Sequence, residues 1–473
     1  MTTKRGVVLA AAAIMAAAAP GEPAAASSPL PLAPCTSERW KGALCGTLAV
    51  PEDPDHPEGR TIQLNVVVLR AVEPRPGAAP LFHLEGGPGV AASGAAGFYL
   101  GPGSHYRRTR DVVLADQRGT GDSSPLLCPA LEQRSPLQDY EPIDEVAACR
   151  RALEGQADLT KYSTSIAALD VERVRAALGY DRIDIWALSY GTRLAQTYLK
   201  AFPSRVRSAV LVGFAPLDYK APLFHAVAAQ RVLDLVLDAC QLDAQCATRY
   251  PDLRREWRSL LERLQTGPVV VASPSPGAPA VEIRRGPFGE ALRTLLTTTA
   301  GQRRVPALIH RAAQGDFSPF LDMVPKGPPG AEGLYLTIAC AEGGARITDE
   351  DLRRHTAGTF LGDYRVSRER AACAAWRTYA VPESFYAPPA GGVPLLVVSG
   401  EMDHVAPPAW AEAFCAATDS CLLLRIPALG HGPFDLDEWT HGECLDALMQ
   451  GFYEHPGRID ADCLRGMKPP PFQ

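Results

Sequence analysis

Trp186-Ala187-Leu188-Ser189-Tyr190-Gly191-Thr192 is the stretch on which the fold turns. Ile183 to Leu188 has the length and apolar content of a buried strand, and Gly191 to Phe202 reads as a helix that stops before Pro203. A serine in the turn between the two fits a nucleophile elbow. That turn is tight, so it asks for small residues two places before and after the serine, here Ala187 and Gly191. The usual pattern has glycine at both places, which makes Ala187 a departure, though a small one. The helix behind Ser189 would aim backbone N–H groups and the positive end of its dipole at an anion formed beside the serine.

Short apolar runs flank this unit. Thr61–Arg70, Leu81–Leu84 and Asp111–Ala115 precede it, a helical pattern at Ser165–Leu178 leads into it, and Val206–Val212 follows. Runs rather than alternations mark strands covered on both faces, and their exchange with helices predicts an α/β fold with a mostly parallel, doubly wound sheet. From about Pro216 to Pro389 the patterns are mainly helical: Phe224–Ala239, Asp252–Leu264, Gly289–Leu296 and Ala307–Gln314. Spacers rich in Pro and Gly separate them, such as Ser273–Gly277 and Lys326–Gly330. Strands resume at Leu395–Ser399 and Leu422–Ile426. The expected organisation is therefore a signal segment at 1–26, core at 27–215, a helical lid inserted at 216–390, and core again at 391–473. Residues 27–60 read as loop-rich, and the tail Lys468–Pro471 reads as frayed.

Three further motifs sit after strands. Glu85-Gly86-Gly87-Pro88-Gly89 can bring backbone N–H groups close to a developing oxyanion, because glycine has no Cβ to stand in the way. The N–H groups of Gly87 and Tyr190 are assigned as that pair, with Gly86 shaping the loop. Ser399-Gly400-Glu401-Met402-Asp403 offers a carboxylate to orient a base, and Asp403 is preferred to Glu401 because it lies further into the loop. Gly430-His431-Gly432 offers the base; His404 and His441 are its rivals. The chain order Ser189, Asp403, His431 is the one this topology requires. The expected chemistry is attack by Ser189 on a carbonyl, with His431 as general base, Asp403 as its orienting group and an acyl-enzyme as intermediate.

Bulk properties narrow the class. Lys4-Arg5, the apolar stretch Gly6–Ala19 and the small residues Ala24–Ser27 have the layout of a secretory signal. The apolar stretch is well short of the roughly 20 residues that span a bilayer, so stable membrane insertion is not expected. The net charge is −6, which argues against nucleic acid as a partner. The twelve cysteines suit an oxidising, extracytoplasmic compartment. Short spacings motivate consecutive disulfides: Cys35 with Cys45, Cys128 with Cys149, Cys240 with Cys246, Cys340 with Cys373, Cys415 with Cys421, and Cys444 with Cys463. No zinc-type cysteine spacing, dinucleotide fingerprint or P-loop is present, so neither metal nor cofactor is expected.

Taken together, Gly86–Gly89, Asp116-Gln117-Arg118-Gly119-Thr120-Gly121, Leu188–Thr192, Phe202-Pro203-Ser204-Arg205-Val206, Gly400 to Asp403 and Gly430–Gly432 resemble the secreted tripeptidyl aminopeptidases of the proline-iminopeptidase-like α/β-hydrolases. The resemblance implies an α/β-hydrolase fold, a lid, and release of residues from peptide N-termini. It also implies acidic groups for the substrate ammonium. Glu342, two residues after Cys340, and Glu85 are the candidates. Glu85 stands where the family usually carries histidine, and Gly213-Phe214 stands where an Asp-Gly pair is expected. A carboxylester hydrolase with the same triad, or a binding protein on this scaffold, stays open as an alternative. The expected partner is a peptide or small acyl substrate; the sequence leaves the oligomeric state undetermined.

Overall fold

The computed structural model describes residues 29–135, 137–271, 280–323, 330–376, 378–432, 442–465 and 467–473. The expected signal segment 1–26, the spacer Ser273–Gly277, most of Lys326–Gly330 and His441 lie outside the described residues.

Nine strands form the main sheet: β1 (Ala33–Pro34), β2 (Leu44–Pro51), β3 (Thr61–Leu69), β4 (Leu81–Leu84), β5 (Val112–Ala115), β6 (Ile183–Leu188), β7 (Val206–Val212), β10 (Leu395–Gly400) and β11 (Cys421–Ile426). A separate hairpin pairs β8 (Val269–Val271) with β9 (Val281–Ile283). The order is β1-β2-β3-β5-β4-β6-β7-β10-β11, antiparallel from β1 to β5 and parallel from β5 to β11. The fold is thus the mostly parallel α/β sheet that the apolar runs imply.

Each central strand is covered on both faces. Ile185 and Ala187 pack with Val171 and Val174 of the helix Thr164–Ala177, with Leu194 and Tyr198 of Tyr190–Ala201, and with Phe414 of Pro408–Ala416. Trp186 and Leu188 point to the opposite face, toward Leu445, Leu448 and Phe452 of Gly442–Glu454. The two-residue period of a strand sends alternate side chains to opposite cores.

Two expectations are corrected here. Residues 27–60 contain β2, paired with β3 along its whole length. Its exposed and half-buried residues give no apolar run to read. The tail is not frayed either. Gln473 N–H donates to Arg303 O at 3.2 Å, Tyr250 Oη donates to Gln473 O at 3.1 Å, and the Arg303 guanidinium lies 4.3 Å from the centre of the Phe472 ring.

Between β7 and β10 the chain is mainly helical: His225–Leu242, Leu253–Thr266, Arg285–Leu295, Thr299–Ala313, Glu332–Glu342, Asp349–Thr356 and Tyr364–Ala375 are its longer helices. This insert has a core of its own, in which Leu233, Trp257, Leu260, Phe288, Leu292 and Leu308 pack together. Six disulfides are present, joining Cys35–Cys45, Cys128–Cys149, Cys240–Cys246, Cys340–Cys373, Cys415–Cys421 and Cys444–Cys463. Among the described residues no helix is long and apolar enough to cross a membrane.

Candidate active site

Ser189 sits between β6 and the helix Tyr190–Ala201 with φ +54° and ψ −121°. A non-glycine residue in that region costs about 1–3 kcal/mol and is kept only where its surroundings demand it. The demand is visible: Ser189 N–H donates to Val212 O at 2.9 Å, and the next helix begins at once. Gly191 cannot carry a side chain, because a Cβ there would lie 2.1 Å from Leu84 O. Ala187 meets no such limit; its methyl group is buried in the sheet core. The elbow's irregularity is therefore at the tolerant end of the turn. Tyr190 opens the helix, so its N–H has no acceptor within it.

The candidate orienting acid and base stand beyond neighbouring strands. Asp403 follows β10 and is fully buried. Its Oδ1 accepts from the N–H groups of Val405 (2.7 Å) and Ala406 (2.9 Å), and its Oδ2 lies 2.8 Å from His431 Nδ1. His431 follows β11. A Cβ placed on Gly213, at the end of β7, would lie 3.0 Å from His431 Cε1 and 3.7 Å from Asp403 Oδ2. The ends of β6, β7, β10 and β11 thus converge on one point. Among the described residues Ser189 Oγ makes no hydrogen bond; such contacts are often loose before substrate binds.

The insert holds both loops in place, and no sequence motif announced this. His431 N–H donates to Thr297 O at 2.8 Å, and Gly430 N–H donates to Thr299 Oγ1 at 3.2 Å. The Gln302 side-chain amide donates to Leu296 O at 2.8 Å and to Met402 O at 3.0 Å. Arg231 donates to Glu401 O at 3.0 Å and to Asp403 O at 2.7 Å. On the side of the two loops every one of these contacts is made by a backbone group, which leaves almost no mark on residue choice there.

The glycine loop approaches the serine from β4. A Cβ on Gly86 would lie 3.2 Å from Ser189 Cβ, so the loop's backbone comes close to Ser189. Gly87 has φ +107°, a conformation natural to glycine. Glu85 braces this loop. Its Oε1 accepts from Gly86 N–H at 2.9 Å, and its Oε2 lies 2.7 Å from His83 Nε2. His83 in turn stacks on Trp186 and lies 2.9 Å from Tyr99 Oη. Both oxygens of Glu85, one of the two candidates for a substrate ammonium, are thereby engaged within the protein.

Glu342, the other candidate for the ammonium, also has internal partners. Oε1 accepts from Thr164 N–H (3.0 Å) and Tyr379 Oη (2.8 Å); Oε2 accepts from Thr164 Oγ1 (2.9 Å) and lies 3.4 Å from Arg193. With a full set of partners and about 1% exposure, it anchors the insert to the helix Thr164–Ala177. Asp116, Gln117 and Arg118 also brace. Asp116 accepts from Ser93 and Asn65, Gln117 donates to Tyr190 Oη at 3.1 Å, and Arg118 makes a two-point pair with Asp170 at 2.6 and 3.0 Å.

A different set of acids was missed. Glu141, Glu290, Glu332 and Glu369 are buried with Arg293 and Arg365, beside the half-buried Arg134. Glu332 follows Ala331, whose N–H donates to Gly89 O at 3.0 Å, so the group adjoins the glycine loop. Its carboxyl has no hydrogen-bond partner among the described residues, and Glu141 Oε2 and Glu369 Oε1 are buried without one. Burial first, and the charge of Glu141 second, push the Glu332 carboxyl up to about 8. These residues are dispersed in sequence without a recurring motif.

His404, the rival base, is fully buried with its Nε2 3.3 Å from Thr297 Oγ1. Burial and the nearby charges of Arg293 and His431 push its pKa well below the ordinary histidine value. Among the described residues no group of three or more His, Cys, Asp or Glu side chains is arranged to hold a metal ion.

Comparison with known proteins follows this geometry. A family model described as "alpha/beta hydrolase fold" matches residues 80–236, which contain Ser189, and one described as "TAP-like protein" matches residues 359–463, which contain Asp403 and His431. A serine protease of Mycobacterium tuberculosis is 31% identical over 207 residues, covering 39% of this chain and 39% of that protein. A tripeptidyl aminopeptidase of Streptomyces lividans is 29% identical over 226 residues, covering 44% of this chain and 40% of the relative. A probable proline iminopeptidase of Streptomyces coelicolor is 32% identical over 136 residues, covering 29% and 33%. The match to each relative thus spans well under half of that relative's length. The two models match β4 to β7 and β10 to β11, on either side of the helical stretch between them; the chain has the α/β-hydrolase fold, and its sequence is similar to tripeptidyl aminopeptidases and proline iminopeptidases.

Proposed function

We propose that this chain is a secreted serine peptidase that releases short peptides or single residues from free N-termini through an acyl-enzyme on Ser189. The observation that carries the reading is the convergence of Ser189, the 2.8 Å His431–Asp403 pair and the Gly86-Gly87 loop on one set of strand ends. Ser189 Oγ attacks the scissile carbonyl as His431 takes its proton, and Asp403 holds the imidazole and stabilises its charged form. The N–H groups of Gly87 and Tyr190 receive the oxyanion. His431 then protonates the leaving amine, and a water it activates releases the acyl group. Residues 216–390 are taken as the lid over this site, with core at 27–215 and 391–473. Six disulfides and the signal-like segment 1–26 support export.

The preference for a free N-terminus rests on the buried acids Glu141, Glu290, Glu332 and Glu369. Four carboxylates face three guanidinium groups, and Glu332 is held protonated at neutral pH. An entering ammonium would let Glu332 ionise and balance the set. The test compares a tripeptidyl anilide with its N-acetylated form and with an aryl ester, using the wild type and Ser189→Ala. A free-amine preference of about tenfold or more, equivalent to at least 1.4 kcal/mol, is expected. Equal turnover of free and blocked peptides, with faster ester cleavage, would make the carboxylester-hydrolase reading the right one. A fluorophosphonate is expected to label the wild type and not Ser189→Ala.

A further inference from the structure

A cavity lies among the helices between β7 and β10. It has a volume of about 940 Å³, and Arg254, Arg258, Arg285 and Arg353 all line it. They come from separate elements: the helix Leu253–Thr266 supplies two, the start of Arg285–Leu295 one, and Asp349–Thr356 one. In a chain of net charge −6 this is a local reversal of sign.

Its lining acids are already engaged. Asp234 accepts from Gln230 at 3.1 Å and pairs with Arg254 at 3.5 Å; Asp363 accepts from Ser367 Oγ at 2.8 Å. Arg254 is also paired with Asp238, and Arg285 donates to Gln265. Arg258 and Arg353 have no side-chain partner among the described residues. Neither has the indole N–H of Trp257, a residue about 94% buried on the same wall. Three donors are thus left open, while Leu261, Leu352 and Phe360 give the cavity apolar surface. The size falls within the roughly 300–1,000 Å³ of small-molecule sites.

We propose that this cavity binds an amphiphilic organic anion. Arg258, Arg353 and the Trp257 indole hold its carboxylate or phosphate, and its apolar body lies on Leu261, Leu352 and Phe360. A planar guanidinium suits either head group, because it can donate two parallel hydrogen bonds. No residue of the Ser189 site lines this cavity, so the inference does not depend on the proposed reaction.

The test uses 8-anilino-1-naphthalenesulfonate as the probe, on full-length protein whose Ser189 site has been blocked with a fluorophosphonate. Saturable fluorescence enhancement with one site per chain is expected. The pair Arg258→Gln/Arg353→Gln should weaken it about tenfold or more, a loss of at least 1.4 kcal/mol. Uncharged N-phenyl-1-naphthylamine should bind no better to the wild type than to this variant. Trp257→Phe, which keeps the packing and removes the N–H, is expected to weaken the probe by a smaller factor. Displacement by octyl phosphate and by octanoate then tells which head group is preferred. Unchanged probe affinity in the double variant, with its thermal unfolding also unchanged, would overturn the proposal. So would equal loss of the charged and uncharged probes.

Discussion

His431 is tethered through its backbone to the helical stretch between β7 and β10: its N–H donates to Thr297 O at 2.8 Å. The candidate base is therefore positioned by a segment more than a hundred residues away in sequence. The approach is so close that a Cβ on Gly430 would lie 2.4 Å from Thr297 O.

Gly430→Ala is accordingly expected to push the His431 loop off Thr297. A displacement of this kind can cost about a hundredfold in rate without unfolding the protein. The check is kcat on an anilide substrate alongside circular dichroism. Wild-type kcat in a folded Gly430→Ala protein would mean that the tether does not position the base.

The two small residues of the elbow should respond oppositely. Gly191→Ala forces a methyl group to within 2.1 Å of Leu84 O, so loss of folded protein is expected. Ala187→Gly restores the usual pattern and removes a buried methyl from a strand, for about 1 kcal/mol of destabilisation with activity kept. Thermal unfolding of the two variants separates them. A stable, active Gly191→Ala protein would refute the steric argument.

Asp403→Asn keeps the shape of the side chain and removes its charge. By analogy with triads of this kind, kcat should fall by about 10⁴. Glu401→Gln is not expected to matter as much, because Glu401 is half-exposed and pairs with Arg425 at 2.9 Å. Steady-state kinetics of Asp403→Asn and Glu401→Gln decide between the two acids: the larger loss identifies the orienting group.

Glu332 predicts a pH dependence of stability. Its carboxyl titrates at about 8 in the folded chain against 4.5 for an unperturbed glutamate. Between these values the folded state holds a proton that the unfolded state has lost. Stability should therefore decline as pH rises from about 4.5 to about 8, with a slope of at most about 1.4 kcal/mol per pH unit. Melting temperatures across that window provide the measurement. In Glu332→Gln this component of the slope should vanish, and an unchanged slope would assign it to other groups.

The buried strands were legible because each is covered on both faces and so reads as an apolar run; Ile183–Leu188 and Val206–Val212 are the clearest cases. β2 was not, since its half-exposed residues carry no such run. The helices Glu332–Glu342, Asp349–Thr356 and Tyr364–Ala375 were also unread. Glu332–Glu342 is almost wholly buried, so it shows no contrast between a polar and an apolar face.

By itself the sequence determined the strand–turn–helix around Ser189, the parallel α/β class, and the loops in which Asp403 and His431 lie. These follow from local patterns, because a buried strand and a tight turn restrict their own residues. Only the tertiary structure decided that Asp403 and His431 meet at 2.8 Å, that Thr297 and Gln302 fasten their loops, and that Glu85 and Glu342 are occupied by internal partners. Those outcomes rest on backbone carbonyls and on pairings between distant segments. A carbonyl is the same in every residue, and a carboxylate's partner depends on where the chain folds it.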